Sequence, residues 1–329
     1  MIPLPPRSSL LSLTLTVEPR LPELSHPSES HDSEHHSELC GLMPHAGQYQ
    51  ATVVSQRELA HGTYVVRIAC PKLAQLIIPG QFFMIRPAQG TDPTLGRPFA
   101  LYDTILDENG QVVAFEFAYH VVGKMTSLMT HWTPGTSVQI WGPLGNGFPV
   151  FEGKHLLCVG GGIGYTPFLA VAREALGQRK YGSGDRAAVV PPEDRKVSLF
   201  YGVQSRQFRA DLTDWNDLKG LSISISTDDG TEGRAGFVTA LLEESLNGSD
   251  RPDAVYCCGP EPMMYAVARL CRQAGVACWL SLETPMACGF GACFSCVTRV
   301  RDESGPEGWD YRRTCVEGPI FPAETLYIP

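Results

Sequence analysis

Four cysteines near the carboxyl end of the chain have the spacing of iron–sulfur ligands. Cys288, Cys293 and Cys296 form a C-x4-C-x2-C run, and Cys315 follows downstream. This is the plant-type pattern of thiolates that hold a [2Fe–2S] cluster. A zinc site and four unrelated buried thiols are the other interpretations, but zinc usually takes cysteines as pairs in short knuckles. The spacing therefore predicts a [2Fe–2S] cluster with these four cysteines as ligands.

The residues between the cysteines suit a loop that passes close to a cluster. Gly289 and Gly291 allow the backbone to approach it and to turn N–H groups towards the sulfides. Ala292 and Ser295 are small, so they leave room beside it. The fourth thiolate comes from a separate segment and closes the site.

Length and composition indicate what kind of protein positions this loop. A chain of 329 residues is expected to form about two or three domains. The formal net charge of -9 argues against nucleic acid as the main partner. No apolar run approaches the ~18 residues that cross a bilayer. We expect the 11 cysteines to be reduced thiols of a cytoplasmic protein, because their number is odd and no signal peptide is recognised.

Changes in composition divide the chain into four predicted parts. Residues 1–47 are rich in Pro, Ser, His and Glu, which predicts a disordered tail. Residues 48–150 carry short β-branched or aromatic runs between turns, which predicts an antiparallel β-barrel. Residues 151–279 alternate strands with helices, which predicts an α/β unit with a parallel sheet. Residues 280–329 form the predicted cluster domain, so the fold class is β plus α/β.

Two segments of the predicted barrel contain residues that suit a dinucleotide. In residues 96–102, Arg97 lies beside a Pro-stiffened strand and can bind a phosphate bidentately. In residues 119–129, a glycine turn before Thr126 presents a helix start to a pyrophosphate. A solvated arginine and an ordinary N-capped helix are the alternatives. Together the segments predict a dinucleotide clamp.

A glycine run opens the α/β unit. A predicted strand at residues 155–159 leads into residues 160–164, and Pro167 suits the first turn of the helix that follows. Strand, glycine turn and helix set backbone N–H groups against a nucleotide pyrophosphate, here with the pattern G-x-G-x-x-P. A tight structural turn is the alternative interpretation.

A second motif is predicted at the same edge of the sheet. Strands are predicted at residues 196–201, 221–225 and 254–258, helices at 236–246 and 263–274, and a surface loop at 181–194. Cys258, Gly259 and Pro260 stand where the last of these strands meets a helix. Ligands of open α/β sheets lie at this carboxyl edge.

The motifs resemble those of the ferredoxin–NADP reductase superfamily. They are Pro79-Gly-Gln-Phe82, Arg97-Pro-Phe-Ala-Leu101, Gly162-x-Gly164-x-x-Pro167 and Cys258-Gly-Pro260. Further stretches narrow the likeness, namely Thr227-Asp-Asp-Gly230 with Gly236-Phe-Val-Thr239, Cys258-Gly-Pro-Glu-Pro-Met-Met264, and the cysteine run with Cys315-x-x-Gly-Pro319-x-Phe321. This combination is similar to the electron transfer subunits of dihydroorotate dehydrogenase B, from about Tyr49 to the carboxyl terminus.

The resemblance implies FAD on the barrel, NAD(H) on the α/β unit and one [2Fe–2S] cluster. The implied FAD contacts are Arg97, Pro98, Phe99, Ala100, Ala118, Tyr119, His120, Gly123, Lys124, Met125 and Thr126. The implied NAD contacts are Gly162, Gly164, Cys258, Gly259 and Pro260. The chain departs from the family pattern at Ala100, where Ser or Thr is common, at His120, where Arg is common, and at Met125, where Gly is common. Each change is expected to loosen the FAD or alter its potential. Thr284 and Pro285 also replace a charged pair that is frequent in the family.

These cofactors predict an electron transfer chain. Nicotinamide exchanges two electrons as a hydride, the cluster carries one electron at a time, and a flavin handles both and so lies between them. The resemblance implies a partner subunit with FMN that oxidises dihydroorotate to orotate, in a heterotetramer of two plus two, with no dihydroorotate site on this chain. Cys258 and Glu283 are candidates for the nicotinamide–flavin contact, with packing at the domain junction as the alternative.

Three questions stay open at this point. Ser205 and Arg206 follow a predicted strand and could accept the 2′-phosphate of NADP, whereas the resemblance favours NAD. A flavin and iron–sulfur subunit of a sulfhydrogenase, or of an NADH-dependent ferredoxin–NADP reductase, shares almost all the motifs. A zinc-bearing scaffold protein with a vestigial flavin fold is the non-enzyme alternative.

Overall fold

The computed structural model describes residues 45–305 and 307–328. The tail predicted over residues 1–47 lies outside these residues up to position 44, and Gly47 already begins the first strand. Among the described residues, no helix is long and apolar enough to span a bilayer.

The first half of the described chain forms a curled antiparallel sheet. Its elements are β1 (Gly47–Ala60), β2 (Thr63–Ala69), α1 (Pro71–Ala74), β3 (Phe82–Pro87), β4 (Arg97–Ala100), β5 (Asp103–Leu106), β6 (Val112–His120), α2 (Lys124–Met129) and β7 (Ser137–Leu144). The seven strands are ordered β4-β3-β7-β1-β2-β6-β5. Phe83, Phe115 and Phe117 fill its interior, with ring centroids 4.8 and 5.2 Å from Phe83 to the other two. The sheet therefore has an aromatic core of its own.

The second half forms an α/β unit and a hairpin. Its elements are β8 (His155–Gly161), α3 (Phe168–Ala175), α4 (Asp185–Ala188), β9 (Lys196–Val203), β10 (Leu221–Thr227), β11 (Arg234–Ala235), α5 (Val238–Asn247), β12 (Ala254–Cys258), α6 (Glu261–Ala274), β13 (Ala277–Ser281), β14 (Val297–Arg301), β15 (Trp309–Arg313) and β16 (Ile320–Pro322). The sheet order is β11-β10-β9-β8-β12-β13-β16, and only β16 runs antiparallel to its neighbour. Every residue of central strand β8 is buried, as expected for a parallel strand covered on both faces. β14 and β15 pair with each other as a separate two-stranded ribbon.

Helix α6 illustrates how the sequence specifies these elements. Met264, Val267, Ala268 and Cys271 recur at helical spacing and are the buried face of the helix. Gly275 ends it in the left-handed conformation, with φ of 65°, which a residue without a Cβ adopts at low cost. The other face stays polar, so this helix was predictable from its pattern.

A buried polar group joins the curled sheet to the α/β unit. Asp103 on β5 is 3% exposed and receives hydrogen bonds from Arg173 on α3 and from Tyr181, the latter at 2.6 Å. Burial raises the pKa of Asp103, although the two nearby arginines, Arg173 and Arg179, act in the opposite direction. Since a buried carboxylate needs these partners, the contact fixes how β5 lies against α3.

The predicted fold class is confirmed, with differences at particular elements. The predicted strands and helices are present with shifted ends, and the surface loop at 181–194 contains the short helix α4. Residues Gly162–Tyr165 form a 3-10 helix, and Pro167 precedes α3 instead of lying within its first turn. Strands β5, β11, β13, β14, β15 and β16 were not predicted, because strands of two to five residues carry little periodicity of their own.

Candidate functional site

The four cysteines of the spacing motif come together as two pairs. The Cys293 thiol lies within hydrogen-bonding reach of Cys288, and the Cys315 thiol within reach of Cys296. Within the described part of the chain, no three His, Cys, Asp or Glu side chains converge on one metal position. A [2Fe–2S] cluster takes two thiolates on each of two irons, so two pairs suit it better than a single zinc ion. The residues therefore fit the cluster.

Two glycines bring the cysteine loop close to its surroundings. Gly289 has φ of 80°, and a Cβ at this position would lie 2.5 Å from Cγ of Met84 on β3. Gly291 has φ of 89°, and its Cβ would lie 2.7 Å from Cγ2 of Val316. The Gly291 N–H also donates to the Cys315 sulfur. Any side chain at either position would push the loop away.

Ser295 acts as a donor as well as a small residue. Its hydroxyl lies 3.2 Å from Sγ of Cys293. The Ser295 hydroxyl and backbone N–H, together with Cys288, lower the pKa of the Cys293 thiol to about 6. Since the thiolate is the form that binds metal, this serine favours ligation.

Thr284 supports the loop through a second threonine. Its hydroxyl contacts the hydroxyl of Thr314, which is fully buried. Thr314 in turn donates its hydroxyl and its backbone N–H to the carbonyl oxygen of Cys296, at 2.7 and 2.8 Å. The threonine that departs from the family pattern therefore helps to position two cysteines, Cys296 and the adjacent Cys315.

The cysteine loop packs against the curled sheet. Cys296 and Cys315 share an apolar cluster with Phe82, Met84 and Leu144 of strands β3 and β7. They are 2% and 1% exposed, whereas Cys293 is exposed. One side of the site is therefore closed by the sheet, and the other faces outward.

Trp141 on β7 contacts both this loop and the segment that carries Arg97. Its indole Nε1 donates to the carbonyl oxygen of Cys288 at 2.8 Å. Its ring also occupies the space that a side chain on residue 96 would need, so only glycine fits at this position. Sequence reasoning missed this role, because nothing local to Trp141 indicates a partner so far along the chain.

Asn146 fixes the segment that follows Cys315, and Gln81 holds the turn next to Asn146. The Asn146 side chain donates to the carbonyl of Ile320 at 2.8 Å and accepts its N–H at 3.1 Å. Buried Gln81 donates to the carbonyl of Gly145 at 2.7 Å. The turn-rich junction after β7 is therefore also the anchor of the carboxyl-terminal segment. Gln81 belongs to a motif seen in the sequence, but its role was not predicted.

The segments predicted to clamp FAD lie on β4, at the end of β6 and at the start of α2. Arg97 donates to its own neighbours Leu95 and Gly96, at 3.0 Å each. Among the described residues no carboxylate lies within 4.0 Å of its guanidinium, which leaves the remaining donors for a phosphate. Pro98, Phe99 and Ala100 follow on β4, and Phe99 is 4.9 Å from Phe117 between ring centroids.

The turn before α2 is held by one hydroxyl. Thr126 Oγ1 accepts the N–H groups of Val122 and Gly123, at 2.9 and 3.0 Å. The first N–H groups of a helix, here those of Lys124 and the next two residues, have no acceptor within the helix. They can therefore donate to a phosphate. Tyr119 is 1% exposed, and its hydroxyl donates to Gln56 at 3.0 Å, so only the backbone of Ala118 and Tyr119 is left to a ligand.

The three departures from the family pattern have different structural settings. Met125 is 2% exposed and packs into the core of the curled sheet, so its side chain does not obstruct the turn. His120 is exposed, and its Nδ1 lies 2.9 Å from the hydroxyl of Thr63. Ala100 pairs with Phe82 across β4 and β3. Met125 therefore leaves the turn open, whereas Ala100 lacks the hydroxyl and His120 lacks the guanidinium that are common in the family. The looser FAD or altered potential expected from the three changes stays a prediction.

The two predicted NAD motifs meet at the carboxyl edge of neighbouring strands β8 and β12. A Cβ on Gly164 would collide with the carbonyl of Cys258, and one on Gly161 would lie 2.9 Å from Cδ of Pro260. Gly162 has φ of 55° and open space around it, and Gly259 has φ of 152°. The glycines thus allow two turns to touch and leave backbone exposed to a nucleotide.

Cys258 and Glu283 lie together beside these turns. Burial raises the pKa of the Cys258 thiol to about 12, with Glu283 acting in the same direction and a hydrogen bond from Ser281 against it. Cys258 therefore remains a neutral thiol near pH 7. Ser281, which ends β13, was not identified from the sequence.

The loop with Ser205 and Arg206 faces acidic residues. The Arg206 N–H donates to the hydroxyl of Thr231 at 2.9 Å, and Asp229 accepts from the same hydroxyl at 2.6 Å. Glu232 lies 3.0 Å from Arg209. A carboxylate so close to this loop opposes a 2′-phosphate, which favours NAD over NADP.

Comparison with known families and proteins agrees with these motifs. Residues 283–327 match the iron-sulfur cluster binding domain of dihydroorotate dehydrogenase B, and residues 158–269 match the oxidoreductase NAD-binding domain. The chain is 36% identical over 285 residues to the dihydroorotate dehydrogenase B (NAD(+)) electron transfer subunit of Geobacillus thermodenitrificans, covering 86% of this chain and 99% of that protein. It is 34% identical to the subunit of the same name from Caldanaerobacter subterraneus subsp. tengcongensis, covering 84% of this chain and 97% of that protein.

Solved structures share the fold. An NADH-dependent reduced ferredoxin–NADP oxidoreductase matches with a TM-score of 0.67 and 24% identity, covering 85% of this chain and 90% of that chain. The ferredoxin reductase of carbazole 1,9a-dioxygenase matches with a TM-score of 0.57 and 23% identity, covering 70% and 67%. These likenesses establish the reductase-like architecture of the two sheets.

Proposed function

This chain belongs to the family of dihydroorotate dehydrogenase B electron transfer subunits, and we propose that it performs the family's reaction step. In this proposal it passes electrons from the FMN of a dihydroorotate-oxidising partner subunit to NAD+, through its [2Fe–2S] cluster and FAD. The reaction serves pyrimidine biosynthesis. The partner is an FMN-containing catalytic subunit, in a heterotetramer of two plus two, and the complex works in the cytoplasm, where thiolate ligands stay reduced.

The observation that carries the proposal is the contact of Trp141 with two segments at once. Its indole holds the carbonyl of Cys288, and its ring packs against Gly96 beside Arg97. A site built on the cysteine loop and a site built on Arg97 are therefore neighbours across one side chain. A one-electron carrier and a carrier of one or two electrons must be close for electrons to pass between them.

Each cofactor has a set of residues to hold it. Cys288, Cys293, Cys296 and Cys315 hold the cluster, which supplies single-electron transfer when bound. Arg97, the backbone near Ala118 and Tyr119, and the N–H groups at the start of α2 bind and orient FAD. The exposed backbone at Gly162 and the half-exposed backbone at Gly259 bind the NAD pyrophosphate, and buried Gly164 allows their two turns to touch. Cys258, neutral and half-buried, lines the approach of the nicotinamide without taking up charge.

The proposal is tested with the purified chain and its partner. The chain should carry FAD and two irons per protein, give a visible spectrum of flavin with iron–sulfur, and oxidise NADH faster than NADPH. Together with the partner it should reduce NAD+ with dihydroorotate, and the partner alone should not. A colourless chain containing zinc, or turnover by the partner without this chain, would contradict the proposal.

A further inference from the structure

A cavity of about 90 Å³ lies on the α/β unit, at the edge opposite the glycine loop. Phe151 and Arg195 line it, and they precede β8 and β9 in the chain. The cavity is therefore at the amino ends of these strands, whereas Gly162 follows the carboxyl end of β8. Seven residues of strand, at ~3.3 Å each, span roughly 20 Å. The cavity is not part of the nucleotide edge.

Positive charge predominates in the cavity wall. Arg179, Lys180, Arg186 and Arg195 line it, with Glu174 as the carboxylate among the lining residues. Glu174 is already paired bidentately with Arg186, at 2.7 and 2.6 Å. The remaining three cations have no further acid in the wall, and Asp103, which lies 3.9 Å from Arg179, is not one of the lining residues. An excess of three positive charges thus surrounds the cavity.

Arg195 is a buried cation without an ion-pair partner in the described part of the chain. It is 6% exposed and lies over the Phe151 ring, with Cζ 5.1 Å from the centroid. Its Nε donates to the carbonyl of Gly153 at 2.9 Å and its Nη1 to that of Ala175 at 3.2 Å. A guanidinium has five N–H donors, so these carbonyls leave further donors without a protein acceptor. Burial lowers the pKa of Arg195, and Glu152 acts in the opposite direction without forming an ion pair within 4.0 Å.

We propose that this cavity binds the phosphate group of a small metabolite, or free phosphate. A planar guanidinium donates two parallel hydrogen bonds to phosphate oxygens, and Lys180 adds a mobile charge at the rim. One water needs ~10–15 Å³ of such space, so the cavity has room for a phosphate-sized group. Phe151 and Val189 provide an apolar side for a short organic part. The bound anion would compensate Arg195 and join the end of α3 to the starts of β8 and β9.

The test uses the complete purified chain with its cofactors. Its thermal unfolding is followed with inorganic phosphate, glycerol 3-phosphate, acetate and sodium chloride at one ionic strength. Phosphate should raise the midpoint by several °C in a saturable way, since a ligand of the folded state stabilises by mass action. A larger effect of glycerol 3-phosphate would assign the site to a phosphate monoester, and an equal effect to free phosphate. An equal effect of acetate or chloride would overturn the proposal.

Variants assign the effect to the cavity. Lys180→Gln and Arg195→Met should each weaken phosphate binding by about tenfold or more. Lys72→Gln removes one exposed charge on α1, outside the cavity, and should leave binding unchanged. If Arg195→Met does not fold, Lys180→Gln with Arg179→Gln replaces it. Phosphate stabilisation that persists in the cavity variants, or that is lost equally in Lys72→Gln, would show that the cavity is not the site.

Discussion

At the scale of single residues, Ser295 controls the acidity of Cys293. In metal-free, reduced protein the thiol should be alkylated by iodoacetamide with a half-maximal rate near pH 6, because the thiolate is the nucleophile. Ser295→Ala removes the first donor to the thiolate and should move this midpoint to higher pH. The rate is measured by mass spectrometry of the labelled peptide across pH 5 to 9. Ser304→Ala, which alters a serine bonded to Asp302, is the matched control and should change nothing.

Gly289 must lack a side chain for the cysteine loop to reach the sheet. Gly289→Ala combines a positive φ with a Cβ 2.5 Å from Met84, so the loop should shift and iron content should fall by at least half. Gly308→Ala has a similar φ of 73° but open space around it. This control bears the backbone strain of about 1–2 kcal/mol without the collision. Iron and sulfide assays compare the two, and equal iron loss in both would contradict the packing argument.

The sequence predicted the cysteines and glycines of this site but not the side chains around them. The C-x4-C-x2-C spacing is local and specific, so it can be read directly. Trp141, Asn146 and Thr314 act on residues brought near only by folding, and their own neighbours in sequence carry no signal. Thr284 was noticed only as a departure from a family pattern, and its contact with Thr314 explains its place.

At the scale of elements, the nucleotide edge depends on two turns that touch. Gly164→Ala places a Cβ against the carbonyl of Cys258 and should force the turns apart. We expect the KM for NADH to rise by ~10-fold or more while flavin and cluster absorption stay unchanged, because only the α/β edge is altered. Gly110→Ala, in the turn between β5 and β6, adds a methyl group in open space at φ of 76°, away from the nucleotide edge, and should leave the KM unchanged. A normal KM in Gly164→Ala would show that the close approach is not required.

Asp253 joins the start of β8 to the segment before β12. Its carboxylate accepts the N–H groups of Lys154 and His155 at 2.7 and 2.9 Å, and these bonds lower the pKa of Asp253 below 3.8. A carboxyl with a lowered pKa in the folded state stabilises above its unfolded pKa and loses that effect as pH falls through the folded value. Asp253→Asn should therefore cost about 1 kcal/mol at pH 7, given its exposure.

The cost of Asp253→Asn should shrink as pH falls below 3.8 and should vanish once it passes the lower folded pKa, where the wild-type carboxyl is also neutral. Urea unfolding at several pH values measures it. Asp228→Asn changes an exposed acid in the turn after β10. It is the control for effects of low pH on stability that are not specific to Asp253. A difference between wild type and Asp253→Asn that is constant with pH would contradict the assignment.

The helices and strands were predicted most accurately where the local sequence pattern is strongest. Strand β12 and helix α6 were predicted nearly in full, because one is a buried run and the other has a clear apolar face. Strand β16 was missed, since its three residues are defined by pairing with β13 and not by their own periodicity. The carboxyl-terminal segment is thereby attached to the parallel sheet.

At the scale of the whole molecule, direct contacts connect the three predicted sites, which are those for the cluster, the flavin and the nicotinamide nucleotide. The curled sheet supports Arg97 and packs against the cysteine loop, and Asp103 ties the same sheet to the α/β unit. Because these contacts are direct, the relative positions of the predicted sites do not depend on a flexible linker. A substitution in one site should therefore abolish the reactions that need that site and leave the reactions of the other sites unchanged.

Cys315→Ser tests this separation. Removing one of the buried ligand pair should lower iron content and abolish dihydroorotate-dependent NAD+ reduction with the partner, because single electrons then have no path to the flavin. Oxidation of NADH with a two-electron dye should fall less than about threefold, since it needs the flavin and the α/β edge alone. Cys70→Ser is the matched control, because Cys70 precedes α1 and serine is favoured there as an N-cap. Equal loss of both activities in Cys315→Ser, with FAD retained, would mean that the cluster is not a separate branch of the electron path.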